Sequence, residues 1–419
     1  MRGRLPPQER TESVIPIVLV LAAICFNAVL AFINGNVTKL SAQHVMLVEA
    51  VLVLGAQAYA IVHFNRHMTP WYAFIVLVGL FSIIRMAAIG EVELKYFRDF
   101  LLIQTFVVLG MASSSRLAVR MMMLACAIVI AGIALEAISV STFSKLFDVK
   151  DYYIATRGMD FGEFTYEDSD LYVSATRYQG RFIPFFGLHR MSSIFLEPVS
   201  LGNFVLIVVC FALAFWRDLT TRQRVFICLS VILMIVASDG RQAIATSALI
   251  LGLAVFTRIV VPNVAIFILP LVILGAILAV GVLDLHSGAD DMPGRLAYTV
   301  ELMGRMQPID YFGLSDRLVP EAADSGIVFM IITHSIVIFA VLWILTVVSL
   351  DGSTRARADY LNSIWLYLAL AMLVSYSFVS IKTAAPLWFL YGVLAGPVTS
   401  EVRVRPRVPL RPVARHEAA

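Results

Sequence analysis

Charged residues are scarce in this chain of 419 residues: 15% are Asp, Glu, Lys or Arg, while 60% are hydrophobic. A soluble domain carries about 25% charged residues, and a single core stops growing near roughly 250–300 residues. One large soluble globule is excluded, because too little polar surface exists to cover it. The four cysteines, Cys25, Cys126, Cys210 and Cys228, lie in apolar runs, with no CxxC pair or Cys/His cluster. That excludes a disulfide scaffold and leaves the thiols as packing residues. There is no GxxxxGK[ST] loop, no GxGxxG following a strand and no GxSxG elbow, so a nucleotide-driven motor and a Ser-His-Asp hydrolase have nothing to rest on. A net charge of +3 is too small to suggest nucleic acid as a partner.

Long apolar runs remain, and they describe an all-α polytopic integral membrane protein. A bilayer-crossing helix needs about 20 mostly apolar residues. Twelve stretches qualify as candidates: 14–33, 45–64, 71–89, 97–112, 119–138, 199–216, 225–237, 242–260, 262–283, 326–350, 360–381 and 384–398. The seventh and eighth are separated only by Ser238-Asp239-Gly240-Arg241, a tight hairpin or a re-entrant element. The first follows Arg2, Arg4 and Arg10 and is too long for a signal-peptide core, so it reads as an uncleaved anchor. The expected organisation is a cytoplasmic N-terminus (1–13), five helices (14–138), a first large loop (139–198), four helices (199–283), a second large loop (284–325), three helices (326–398) and a basic tail (399–419). Arginines crowd alternate short connections (Arg66; Arg116, Arg120; Arg217, Arg222, Arg224; Arg258; Arg355, Arg357) and the tail. The positive-inside rule then puts both termini in the cytoplasm and both long loops outside it.

Ionisable residues inside spans are costly and mark functional candidates. Glu49, Arg85, Arg98, Asp99, Glu136, Arg241, His334 and Lys382 all fall in the outer half of their spans or at the outer mouths. A carrier places its polar site near the midplane, so this one-sidedness suits a site open to the outer leaflet. Snorkelling or helix–helix ion pairing is the alternative reading of each charge.

The first loop is rich in tyrosine and acid, including Tyr152, Tyr153, Phe161, Tyr166, Tyr172, Glu163 and Asp168. Aromatic faces beside hydrogen-bonding groups suit sugar rings; they also suit the core of a small folded cap. A basic run follows: Arg177, Arg181, His189 and Arg190. Guanidinium forks match phosphate oxygens, which points to a diphosphate-bearing ligand or to lipid head groups. Glu197, just before Pro198 at a helix start, is a candidate general base or a helix-capping acid. In the second loop His286 stands near acids, but at no metal-ligand spacing, and reads as solvated loop.

The stretch 190–204, with Arg190, Ser193, Phe195, Glu197, Pro198 and Gly202, resembles a motif of bacterial exopolysaccharide and O-antigen polymerases, whose superfamily includes the O-antigen ligases. Ser238-Asp239-Gly240-Arg241 resembles that family's Ser-x-x-Arg turn, and Asp324-Ser325-Gly326 its Asp-x-Gly. The Arg-x10-Gly motifs of some polymerases and the His-Asn signature of ligases are not found. The resemblance implies a GT-C-like, metal-independent glycosyltransferase without a cofactor, at the periplasmic face of the bacterial inner membrane. Its donor would be a glycan on undecaprenyl diphosphate, and its acceptor the terminal sugar of another lipid-linked repeat. It implies Arg190 and Arg241, supported by Arg177, Arg181 and His189, at the diphosphate. Glu197 would be the base, with Asp324 or His334 in reserve, and a chain-length co-polymerase a possible partner. A ligase with a different acceptor and a lipid-linked-sugar flippase are the competing expectations.

Overall fold

A computed structural model describes residues 13–159, 171–175, 189–260, 263–288 and 291–397. Among these the chain is helical with no strand. Its α-helices are α1 (Ile15–Ile24), α2 (Phe26–Asn36), α3 (Ala42–Val62), α4 (Thr69–Ile89), α5 (Leu94–Met111), α6 (Ser115–Ile138), α7 (Val140–Phe147), α8 (Val149–Arg157), α9 (Pro198–Phe215), α10 (Thr221–Ser238), α11 (Arg241–Ile259), α12 (Ala265–Leu283), α13 (Met292–Arg305), α14 (Pro308–Tyr311), α15 (Gly326–Ser349), α16 (Arg355–Met372) and α17 (Ile381–Ala395).

Eight described helices are long and apolar enough to cross a membrane, or nine if the bent pair α1–α2 counts as one span. The protein is therefore a polytopic helical membrane protein. The twelve expected spans correspond to twelve helical stretches, but three miss the criterion. α5 carries Lys95, Arg98 and Asp99 near its start, α16 carries Arg355, Arg357 and Asp359, and α17 has 15 residues. These three are interior helices: α17 buries every residue except Leu394, and α5 is buried without a break from Leu102 to Met111. Helices wrapped in other helices can carry charge and be short, because protein rather than lipid surrounds them. The periphery is the reverse. α3 and α12 leave Leu47, Val51, Leu54, Phe267, Leu271 and Leu278 exposed, as lipid-facing positions do.

Glycine sets the tightest contact. A Cβ on Gly392 would run into the Val107 carbonyl, one on Gly110 into the Phe389 carbonyl, and one on Gly396 would lie 3.2 Å from the Met111 carbonyl. Small residues let helix backbones touch in this way. The pairing also makes α5 and α17 parallel. Ten residues before Gly392, Lys382 stands level with Arg98 and Asp99, since both helices rise about 1.5 Å per residue.

The long connections are not structureless. Ser139 ends α6 and caps α7 by accepting from the Thr142 amide. Asp148, in the left-handed region at φ 44°, turns α7 into α8, and Gly158 at φ 64° ends α8. In the second connection Asp291 caps α13. Ion pairs Arg305–Glu321 and Arg317–Asp310 fasten the rest.

Candidate functional site

The motif segment 190–204 is held from below by α6. Glu136, fully buried near the end of that helix, accepts from the backbone amides of Ser192 (2.9 Å) and Ser193 (2.7 Å) and contacts His189 Nε2 at 2.9 Å. The Ser193 hydroxyl donates to the Val129 carbonyl at 2.7 Å. A Cβ on Gly132 would overlap that hydroxyl, so only glycine lets the turn sit on α6. Ser193 (φ 52°) and Leu196 (φ 61°) are left-handed, a conformation the carboxylate of Glu136 helps to impose.

Arg190 is buried. Its Nε donates to the Ser238 carbonyl (2.9 Å), its Nη1 to the Ser174 carbonyl (3.0 Å), and its amide to the Ala175 carbonyl (2.6 Å). It thus ties the 171–175 segment to the end of α10. Asp239 (φ 47°) and Gly240 then turn the chain into α11, whose first residue is the exposed Arg241. The Ser238–Arg241 stretch joins two helices that are each long and apolar enough to cross a membrane and that both pack on α9.

Seven residues after Arg190, Glu197 occupies the N-cap position of α9, where its side chain is an ionic hub. Its Oε2 accepts from Lys382 Nζ (2.6 Å) and Ser200 Oγ (2.8 Å), and its Oε1 from Tyr153 Oη (2.8 Å) and Arg157 Nη2 (2.9 Å). Lys382 Nζ also donates to the Phe195 carbonyl at 3.1 Å, and Asn27 Nδ2 to Tyr153 Oη at 3.2 Å. Arg157 lies over the Tyr153 ring, 4.4 Å from its centroid, and Tyr172 stands edge-on to the same ring. Burial disfavours the Glu197 carboxylate, but Lys382 and Arg157 outweigh it and bring its pKa down to about 2. Burial pushes the Tyr152 hydroxyl up to about 12 and the Tyr153 hydroxyl well above its ordinary value, with Glu197 adding to the latter. One carboxylate against two cations leaves the group with a surplus positive charge. Lys382 is enclosed, whereas the Arg157 side chain is 44% exposed.

The other expected site residues are distributed differently. Asp324 is exposed and pairs with Arg295 at 3.4 Å. His334 is buried with both ring nitrogens engaged, Nδ1 with Thr333 Oγ1 (2.7 Å) and Nε2 with the Tyr96 carbonyl (2.8 Å); neither bond reaches the Glu197 group. Next to it Ser335 (φ 67°, ψ 151°) breaks α15, and Arg85 Nε donates to the Thr333 carbonyl at 3.2 Å. Arg177 and Arg181 lie outside the described residues. Among the described residues no three His, Cys, Asp or Glu side chains converge as a metal site; the His286 ring bonds the Asp284 carbonyl instead.

The intramembrane charges identified from sequence are largely paired inside the protein. Arg98 bridges Glu49 (3.3 Å) and Asp99 (2.8 Å), as Lys382 bridges to Glu197 and Glu136 to His189. Sequence reasoning missed Arg157 altogether. It placed Lys382 only at an outer mouth and Tyr153 only among the loop aromatics. No spacing rule could have joined them to Glu197, because Lys382 is 185 residues away. The sole hint was that both sit at expected outer ends. No protein-family model, curated protein or solved structure matches this chain.

Proposed function

We propose that the protein is a glycan polymerase of the bacterial inner membrane. In this reading it moves a growing chain from undecaprenyl diphosphate to the terminal sugar of another lipid-linked repeat. The observation that carries it is the Arg157–Glu197–Lys382 group: a half-exposed guanidinium with surplus positive charge, walled by tyrosines, at the end of a bundle of apolar helices. Arg241 is the second cation of this reading, exposed after the turn whose Ser238 carbonyl accepts from Arg190. In this reading α1–α2 counts as one span, the enclosed α5, α16 and α17 complete a twelve-span, GT-C-like arrangement, and the arginine bias of the short connections supports an outward orientation of this face.

The acceptor hydroxyl oxygen attacks the anomeric carbon of the donor glycan. The bond from that carbon to the diphosphate oxygen breaks, and undecaprenyl diphosphate leaves with both electrons of that bond. The hydroxyl proton leaves with the diphosphate. Arg157 and Arg241 meet the charge that develops on the leaving group, which is where preorganised donors act most. Held near pKa 2, Glu197 is a poor proton acceptor, so its part here is to position Lys382 and Arg157. Of the two reserve residues for the base, Asp324 has an exposed carboxylate, paired with Arg295, and His334 is enclosed.

The test is the profile of lipid-linked glycans in a deletion strain. Single repeats are expected, with wild type restoring long chains and Arg157→Ala reaching the membrane without doing so. Long lipid-linked polymer in the deletion strain would identify a ligase instead. Full-length polymer from both Arg157→Ala and Arg241→Ala would remove the site assignment.

A further inference from the structure

Opposite the face just described, three helix ends converge. α9 ends at Phe215 with Arg217 two residues on, α11 has Arg258 in its last turn, and α16 opens with Arg355. α16 packs on both of the others. Arg355 is engaged through both terminal nitrogens: Nη1 donates to the Thr257 carbonyl (3.1 Å), and Nη2 to the Ala254 carbonyl (3.2 Å), while Nη2 also pairs with Asp359 at 2.8 Å. It thereby closes the carboxyl end of α11 and neutralises the one buried carboxylate there. Arg217 and Arg258 are different. Both are exposed and both lie within electrostatic reach of Asp359, yet neither has a hydrogen bond or ion pair among the described residues. Asp218, the adjacent acid, makes no ion pair among them either. Three guanidinium groups against the carboxylates of Asp359 and Asp218 leave a surplus positive charge, and among the described residues nothing receives the N–H groups of Arg217 and Arg258.

The surroundings say what such a pair would hold. Along α11, Leu251, Val255 and Ile259 form an exposed apolar stripe at helical spacing that ends beside Arg258. Beside Arg217, Trp216 is 41% exposed under the guanidinium of Arg224, 5.2 Å from the ring centroid. Indole belongs at the membrane–water boundary, and guanidinium forks match phosphate oxygens two at a time. We infer that Arg217 and Arg258 form a binding site for the phosphate of an anionic phospholipid, one acyl chain of which lies along Leu251, Val255 and Ile259. The site does not depend on the glycan-transfer reading.

Native mass spectrometry of the full-length protein tests it, with phosphatidylglycerol, phosphatidylcholine and inorganic phosphate as separate probes. Phosphatidylglycerol is expected to be retained, and phosphatidylcholine less so. The double variant Arg217→Gln/Arg258→Gln should lower phosphatidylglycerol retention roughly tenfold or more, at about one order of magnitude or less per basic residue. A control pair of equal charge, Arg66→Gln/Arg222→Gln, should leave it unchanged. Equal retention of both lipids, or an equal drop in the control pair, would overturn the site in favour of bulk surface charge. Retention of inorganic phosphate matching that of the lipid would overturn the lipid as its ligand.

Discussion

Glu197 gathers donors from α8, α9 and α17, and two of the four are cations. Removing one partner of an enclosed ion pair strands the other, at about 3–5 kcal/mol. Lys382→Met is therefore expected to lower thermal stability in detergent by that order, and Glu197→Gln/Lys382→Met to recover part of it; a fully additive double mutant would show that the pair is not coupled. The pH dependence follows from the sign of the shift. A carboxyl depressed from 4.5 to about 2 contributes stability in full above pH 4.5 and loses it as pH falls toward 2. The difference in melting temperature between wild type and Glu197→Gln should be flat from about pH 5 to about pH 8 and shrink in stronger acid. Glu136→Gln should cost about 1.5–3 kcal/mol, since a charged acceptor of two amides becomes a neutral one, and should abolish polymer formation because the motif turn loses its seat. How much of the site could be read beforehand differs residue by residue. Glu197 and Arg190 announced themselves by standing in a motif at a helix mouth. Arg157 is one arginine in a polar loop, and its meaning comes only from the fold that brings α8 over α9.

The elements were legible where apolar length alone decides. The stretches 71–89, 242–260 and 326–350 became helices 69–89, 241–259 and 326–349. Hydropathy could not foresee the 64° bend between α1 and α2 or the break at Ser335, because each falls inside a stretch whose average is apolar enough to span without interruption. It also left the short helices α7, α8 and α13 unseen in connections too polar for a span. Glycine separates two kinds of helix contact, and that distinction can be measured. Gly392→Ala should destabilise by about 1–3 kcal/mol, because the new methyl meets backbone that cannot give way. Gly252→Ala and Gly275→Ala, where nothing stands within 4 Å, should be neutral or stabilising by at most about 1 kcal/mol. Equal melting temperatures for all three would mean that α5 and α17 are not in backbone contact.

For the molecule as a whole, the largely enclosed helices α5 and α16 carry three charged residues each, whereas the peripheral α3 and α12 expose apolar faces. This ordering makes the alternation of sides testable. In a background without its four cysteines, Glu91→Cys and Ser287→Cys should react with an impermeant thiol reagent in intact cells. Asp218→Cys and Asp351→Cys should react only after the membrane is opened. Labelling of Glu91→Cys and Ser287→Cys from opposite sides would break the twelve-span count. The backbone seam between α5 and α17 joins segments about 280 residues apart in the chain. Until the ribosome has delivered α17, α5 with Lys95, Arg98 and Asp99 has α3 and α4 beside it but lacks the helix that closes its backbone seam. A product released before residue 381 should therefore be cleared by quality-control proteases and be missing from immunoblots, so stable residence of α5 waits on the synthesis of α17.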